Sequence, residues 1–222
     1  MNKLLIVFLA LGGGLLLFVL IGAVSFGYLP QVGETLHMGG AKDLGVTYTD
    51  VDYINAKEKF EAATATQTVK QSFSGEELTA LINGCSDKVC LVKSVQVKTY
   101  ADGGVEISGM VDRSRVVDLL RGGVQTSGTD TNLEAIAKYL PAQPSFYVKA
   151  VITGQQDVVV LDLEKAKIAG LELTGDSLIG VEQELESAIM EYLASLPGTQ
   201  IYDFTISEEG IFVDAELISI IR

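Results

Sequence analysis

The chain has 222 residues, of which 16 are basic and 29 acidic, so its formal net charge is −13. Such an acidic surface repels the phosphates of nucleic acids and of anionic lipids, which argues against nucleic-acid binding and against docking through a basic patch. Without its first apolar stretch and the following linker, the chain keeps roughly 190 residues, enough for one sizeable domain or two small ones.

The first element is an uncharged stretch from Leu4 to Val24. As a helix, about 21 residues extend roughly 31 Å, close to the thickness of a bilayer's hydrocarbon core. Lys3 precedes the stretch and the next basic residue is Lys42. Because basic residues stay on the cytoplasmic side, we expect the N-terminus in the cytoplasm and the rest of the chain outside it.

A cleaved signal peptide is the alternative, and Ala23-Val24-Ser25 offers a small-x-small cleavage step. The apolar region of a signal peptide is usually only about 7 to 15 residues long, which favours the uncleaved anchor. We therefore predict a membrane anchor at residues 1–26, a linker at 27–48 and an extracytoplasmic domain at 49–222. The protein is then a single-pass protein of the cell membrane, held there by its Leu4–Val24 helix.

The next predicted element is a short amphipathic helix that begins near Thr49 and carries Val51, Ile54 and Phe60 as its apolar positions. Residues 64–68 form a polar passage. A second helix is indicated more clearly, because Ser74 and Glu77 have the spacing of a capping box. Phe73 and Leu78 would form the matching hydrophobic staple, and Asn83-Gly84 supplies a left-handed stop.

Cys85 and Cys90, the two cysteines, follow this helix. Outside the cytoplasm such a pair tends to oxidise, so we predict a local disulfide. Free buried thiols are the alternative. Half of a zinc site is disfavoured, because there is no second pair and the lone His37 lies far away in the sequence.

Alternation of apolar and polar residues then predicts an antiparallel hairpin around the turn at residues 101–104. Short helices are expected at 113–120 and 133–140, with a polar loop between them. A strand at 145–153 precedes a long strand at 158–173, which we expect to be kinked at Gly170. A long helix follows from Asp176 or Ser177 to Leu196, and a second hairpin occupies residues 201–220.

The two hairpins resemble each other, since Val105 and Ile107 follow the first turn as Ile211 and Val213 follow the second. Each follows an amphipathic helix at an offset of about 106 residues, which suggests two helix-hairpin half-repeats sharing one core. The predicted fold class is α+β: a transmembrane helix, then a domain in which a curved, mostly antiparallel sheet packs on amphipathic helices.

Three stretches carry a family resemblance: SFSGEELTALING, the Val-x-Val strand at 95–97 and DGGVEISG. With the N-terminal anchor, they resemble the YpmS-like and LmeA-like bacterial proteins of the TULIP lipid-binding superfamily. The resemblance implies a long curved sheet wrapped on a long helix, with an apolar groove for acyl chains and no catalytic residues. The Cys85/Cys90 loop and the polar insertion at residues 122–130 depart from that pattern.

Motifs for catalysis are missing from the sequence. Ser25, Ser108 and Ser127 have neighbouring glycines but none lies in Gly-x-Ser-x-Gly, and a partner histidine would have to be His37. The sequence leaves a Ser-Lys dyad open. No metal-ligand spacing and no phosphate-binding loop occur, so we predict neither a metal nor a cofactor, and no enzyme activity.

A site for a hydrophobic ligand needs no catalytic motif. It needs only a sheet with one apolar face that the helices cover partly. The candidate lining positions are the apolar residues of the predicted helices and hairpins: Leu78, Leu81, Ile82, Val95, Val97, Val105, Ile107, Ile189, Leu193, Val213 and Leu217. The alternative is that they form an ordinary core. We expect a non-catalytic protein that binds lipid or another hydrophobic ligand in the cell envelope. The alternative functions are a module that scaffolds envelope proteins and an envelope hydrolase.

Overall fold

The computed structural model describes residues 40–66, 68–84, 92–112, 142–155, 158–175 and 199–217, with residues 178–180, 182–183, 186–187 and 190 of a further helix. The predicted anchor, the cysteine pair and the helices at 113–120 and 133–140 lie outside these residues. Among the helices that are described, none is long and apolar enough to span a membrane.

Two helices and eight strands make up the described part of the domain outside that further helix. They are α1 (Asp50–Thr66), β1 (Thr68–Phe73), α2 (Gly75–Asn83), β2 (Val92–Thr99), β3 (Gly104–Val111), β4 (Ser145–Gln155), β5 (Val158–Ile168), β6 (Leu171–Leu173), β7 (Thr199–Ser207) and β8 (Gly210–Leu217). All strand pairings among them are antiparallel. The predicted α+β class with an antiparallel sheet is therefore confirmed.

Strand β4 is where the sheet divides. β5 pairs with β4 from Phe146 to Gln155 and so occupies one of its edges. The opposite edge is shared, because β3 pairs with residues 145–151 and β7 pairs only with Gly154 and Gln155. Two branches, β3–β2 and β7–β8–β1, thus leave the same edge of β4 one after the other. Neither branch closes into a barrel within the described part of the chain.

Helix α2 begins as predicted. The Ser74 side chain accepts a hydrogen bond from the Glu77 amide, and the Glu77 carboxylate accepts one from the Ser74 amide. Lys59 of α1 donates to both oxygens of the same carboxylate at 2.6 Å, and to the carbonyl of Ser72. A single buried glutamate thereby joins α1 and the start of α2, and Lys59 extends the connection to the end of β1.

Side chains of helices bind the free edges of two strands. Asn83 of α2 both donates to and accepts from the backbone of Val95 in β2, and Thr79 accepts from the amide of Val97. In the further helix, Glu186 accepts from the amide of Leu161 and Glu182 from that of Leu163, both in β5. In each helix the two side chains are four residues apart and lie on one face. Such contacts cover edges that otherwise invite pairing with another chain.

Several local predictions were wrong in detail. α1 buries Ala56, Phe60 and Ala63, whereas the predicted core positions Val51 and Ile54 are exposed. The sequence predicts a polar passage at residues 64–68 and no regular element between it and Phe73. In the structure α1 continues to Thr66, and Thr68–Phe73 form β1, which pairs with β8. The alternation there is weak, and pairing with a strand far along the chain decides the structure.

Two glycines act differently from the prediction. Gly84 ends α2 with φ of −76°, not in a left-handed conformation. It is required for space instead, since an added Cβ would overlap the ring of Tyr53. At Gly170 the strand does not kink but reverses: Ala169 and Gly170 both have positive φ, as a tight hairpin turn requires, and β6 pairs back onto β5.

The two predicted hairpins form, β2–β3 around Gly103 and β7–β8 around residues 208–209. They meet β4 differently, however. In the first hairpin the strand after the turn pairs with β4, and in the second the strand before the turn does so. The half-repeat stays a prediction, and any duplication has to accommodate this difference in strand order.

Candidate functional site

Most of the predicted lining residues lie together in the core. Eight of them have described side chains, each no more than 8% exposed, within one hydrophobic cluster: Leu78, Leu81, Ile82, Val95, Val97, Val105, Ile107 and Val213. The side chains of Ile189, Leu193 and Leu217 lie outside the description. The burial agrees with the alternative reading of these positions as core, and their role in lining a ligand site stays a prediction.

An open cleft lies where the two branches leave β4, and we call it the fork cleft. Its volume is about 570 Å³, and its lining residues come from the β2–β3 turn, β4, β5 and β7: Ala101, Asp102, Gly103, Ile152, Thr153, Val160, Asp203, Phe204, Thr205 and Ile206. β3 pairs with β4 up to Val151 and β7 resumes at Gly154, so residues 152 and 153 form the floor of the fork. The amide of Ile152 donates to the carbonyl of Gly103, which fixes the turn beside this floor.

The fork cleft is lined by apolar side chains and by two aspartates, Asp102 and Asp203. Ile152 and Phe204 are partly buried and pack against the hydrophobic core, and Ile206 is itself buried. Val160 is 52% exposed, although it is a large apolar side chain on a strand. Because Val160 pairs with Thr153 while Leu161 pairs with Ile152, the exposed valine lies on the sheet face opposite Ile152. The opening thus connects an exposed apolar side chain on one face with partly buried ones on the other, and an apolar group can be received there.

A polar cluster lies elsewhere, on the sheet face opposite the core. Lys42 donates to Glu106 at 2.9 Å and lies 4.0 Å from the centre of the Tyr147 ring. Leu44 is buried nearby, and its amide donates to the Gln96 side chain at 2.6 Å. Residues 42–44, which the sequence assigned to the linker, therefore bind to the sheet.

The side chains of this cluster shift one another's pKa values. Burial acts to raise the pKa of Glu106, but hydrogen bonds from Lys42 and Tyr100 outweigh it, so the pKa is lowered from its ordinary value. The hydrogen bond to Glu106 raises the pKa of Lys42. Burial, followed by the contact with Glu106, raises the pKa of Tyr100. The arrangement keeps Glu106 and Lys42 ionised as a pair over the neutral range, which suits a structural contact.

Ser108 is the serine of interest for a Ser-Lys dyad, because it lies on the same face as Glu106 and is completely buried. Its hydroxyl has no hydrogen-bond partner within the described residues, and Lys42 donates to Glu106 instead. The described structure therefore does not pair Ser108 with Lys42. Within the same residues, no group of three histidine, cysteine or acidic side chains is placed to hold a metal ion.

Sequence reasoning missed the fork cleft. The Asp-Gly turn, the strand at 145–153 and the second hairpin were each predicted, but nothing in their sequence indicates that two hairpins share one edge of β4. Val160 lies in the apolar run VVVL, and its exposure becomes apparent only when the pairing of β4 and β5 is known. Comparison of the chain with protein-family models, with curated proteins and with solved structures finds no match.

Proposed function

We propose that this protein is a membrane-anchored, extracytoplasmic domain that binds the apolar part of a lipid or another hydrophobic molecule in the cell envelope, without catalysing a reaction. The observation that carries the proposal is the fork cleft, whose lining residues Ile152 and Phe204 pack against the hydrophobic core. Its volume of about 570 Å³ falls within the range of small-molecule sites, roughly 300 to 1,000 Å³.

The energetics favour an apolar ligand at this place. Each methylene group that leaves water for the cleft contributes about 0.8 kcal/mol, so a short alkyl chain is sufficient for measurable binding. The cleft is open at its rim, and a ligand can therefore enter without displacing a strand. The N-terminal stretch Leu4–Val24, as an anchor, would hold the domain beside a bilayer, where such ligands are concentrated.

Resemblance to the TULIP superfamily gives the proposal a second support, independent of the cleft. It motivates a lipid as the ligand and an apolar groove as the site. The fork cleft is a different place from the buried positions that the sequence suggested, but Val213 pairs directly with the cleft residue Phe204. Val213 is buried and is not itself among the lining residues of the cleft.

The test is retention of lipid by the full chain. The protein is purified from membranes in a mild detergent, and bound lipid is measured by native mass spectrometry and by extraction. Val160→Asn should lower the retained amount roughly fivefold, because it removes about 1 kcal/mol of apolar contact. Val51→Asn, on an exposed valine of α1 outside the cleft, is the matched control and should retain lipid like the wild type. Equal retention by all three proteins, or none by the wild type, contradicts the proposal.

A module that scaffolds envelope proteins is the second candidate, and α1 favours it. Val51 is 61% exposed, Ile54 51% and Tyr48 46%, so three large apolar side chains are exposed within seven residues around the start of the helix. Exposed apolar patches commonly mark interaction sites. Crosslinking in intact membranes separates the two candidates, since Ile54→Asn would abolish a protein contact made here and leave lipid retention unchanged.

A further inference from the structure

The charges around the fork cleft have one sign. Among its lining residues, the charged side chains are Asp102 and Asp203, and there is no lysine or arginine. The first carboxylate comes from the β2–β3 turn and the second from β7, so they reach the cleft from the two branches. Phe204 lies next to Asp203 and adds an aromatic side chain to the same lining.

Both carboxylates are held by a local hydrogen bond. Oδ1 of Asp102 accepts from the amide of Gly104 at 3.0 Å, and Oδ1 of Asp203 accepts from the hydroxyl of Thr205 at 3.0 Å. These contacts position the acids without neutralising them. Lys70 donates to Asp214 at 2.8 Å, and this contact chiefly raises the pKa of Lys70. The charge of Asp203 makes a smaller contribution in the same direction.

We propose that the fork cleft selects amphiphiles with a cationic polar end, such as an alkylammonium, over those that end in a carboxylate or phosphate. The alkyl chain lies against the exposed Val160 and enters the opening toward Ile152 and Phe204, and the ammonium lies at the rim beside the carboxylates of Asp102 and Asp203. A carboxylate or phosphate in that position would face two like charges in a chain whose net charge is already −13. This selectivity rests on the proposed function, because it assumes that the cleft receives an apolar chain.

Rim charges in water act modestly, so the expected preference is a factor of about five to ten, decreasing with added salt. The test uses the full chain in nanodiscs of zwitterionic lipid, with octylammonium, octanoate and octanol as probes. Saturable binding is measured by equilibrium dialysis, with protein-free nanodiscs as the baseline for partition into lipid. We expect octylammonium to bind most tightly, octanol next and octanoate least.

The decisive variant is Asp102→Asn with Asp203→Asn. Asparagine keeps the Oδ1 acceptor that each local hydrogen bond uses, so the turn and the strand are preserved. The variant should bind octylammonium about as weakly as octanol. Glu208→Gln with Glu209→Gln removes the same amount of charge from the β7–β8 turn, outside the cleft lining, and should leave the preference unchanged.

The outcomes separate the two proposals. If the control variant loses the preference as fully as the cleft variant, the effect comes from overall charge, and the selective site is overturned. If the three probes bind alike and Val160→Asn weakens all of them, the charge selection is wrong while apolar binding in the cleft holds. If no probe binds saturably, both proposals fall together.

Discussion

Asn83 offers the sharpest test of how the domain is held together. Its side-chain amide donates to the carbonyl of Val95 at 2.7 Å and its oxygen accepts from the amide of Val95 at 2.9 Å, so one side chain replaces a neighbouring strand. Val95 is only 1% exposed. Asn83→Leu removes both hydrogen bonds, each worth about 1 kcal/mol net, and leaves buried backbone groups unpaired at a further cost of about 1 to 3 kcal/mol.

We therefore expect Asn83→Leu to lower the free energy of unfolding by about 3 to 5 kcal/mol. The assay is urea unfolding of the full chain in mild detergent, followed by circular dichroism, with hydrogen exchange at Val95 as the local readout. Asn55→Leu, on the exposed face of α1, is the matched control and should change stability by less than about 0.5 kcal/mol. If the two variants lose equal stability, or if the Val95 amide stays protected from exchange in Asn83→Leu, then the contact of Asn83 with the edge of β2 does not stabilise the domain.

Three further predictions concern other contacts. Replacing Glu182 and Glu186 by alanine should cost about 1 to 2 kcal/mol each and speed hydrogen exchange in β5, while glutamine, which keeps an acceptor, should cost less; hydrogen exchange with mass spectrometry measures both. Gly84→Ala should destabilise the domain by about 1 to 3 kcal/mol, and a double-mutant cycle with Tyr53→Ala should recover part of the loss, because the overlap is with that ring. The pKa of Glu106 is lowered from 4.5 in the folded state. The stability that its ionised form contributes to the fold is therefore complete above pH 4.5 and is lost as the pH falls through the folded pKa. Urea unfolding at pH 7 and pH 3 should accordingly show a smaller loss for Glu106→Gln than for the wild type.

Local structure was predictable wherever neighbouring residues decide it. The capping box of Ser74 and Glu77 needs only its own spacing, and the hairpin around Gly103 needs only alternation and a turn. The failures have one cause, contacts between residues distant in sequence. β1 exists because β8 pairs with it, and Val51 is exposed because α1 packs through Ala56 and Phe60.

The site was less predictable than the fold, for the same reason. A pattern of apolar residues identifies what is buried, and it did so correctly for Leu78 and Val97 among others. The pattern does not show which apolar residues remain exposed at the margin of the core. Val160 belongs to an apolar run, yet it is exposed because it alternates with the buried Leu161 and Leu163 and so lies on the opposite face of the sheet.

The position of the fork cleft makes physical sense beside the covered edges. α2 binds the edge of β2 through Thr79 and Asn83, and the further helix binds the edge of β5 through glutamates. These helices satisfy backbone groups that would otherwise invite another chain. In the fork between the two branches, residues 152 and 153 of β4 have a neighbouring strand on only one side. The lining around them contains apolar side chains and the two aspartates Asp102 and Asp203. Within the described residues, Val160 is 52% exposed beside this opening, whereas helix side chains cover the free edges of β2 and β5, so the opening is where the proposed apolar ligand should be sought.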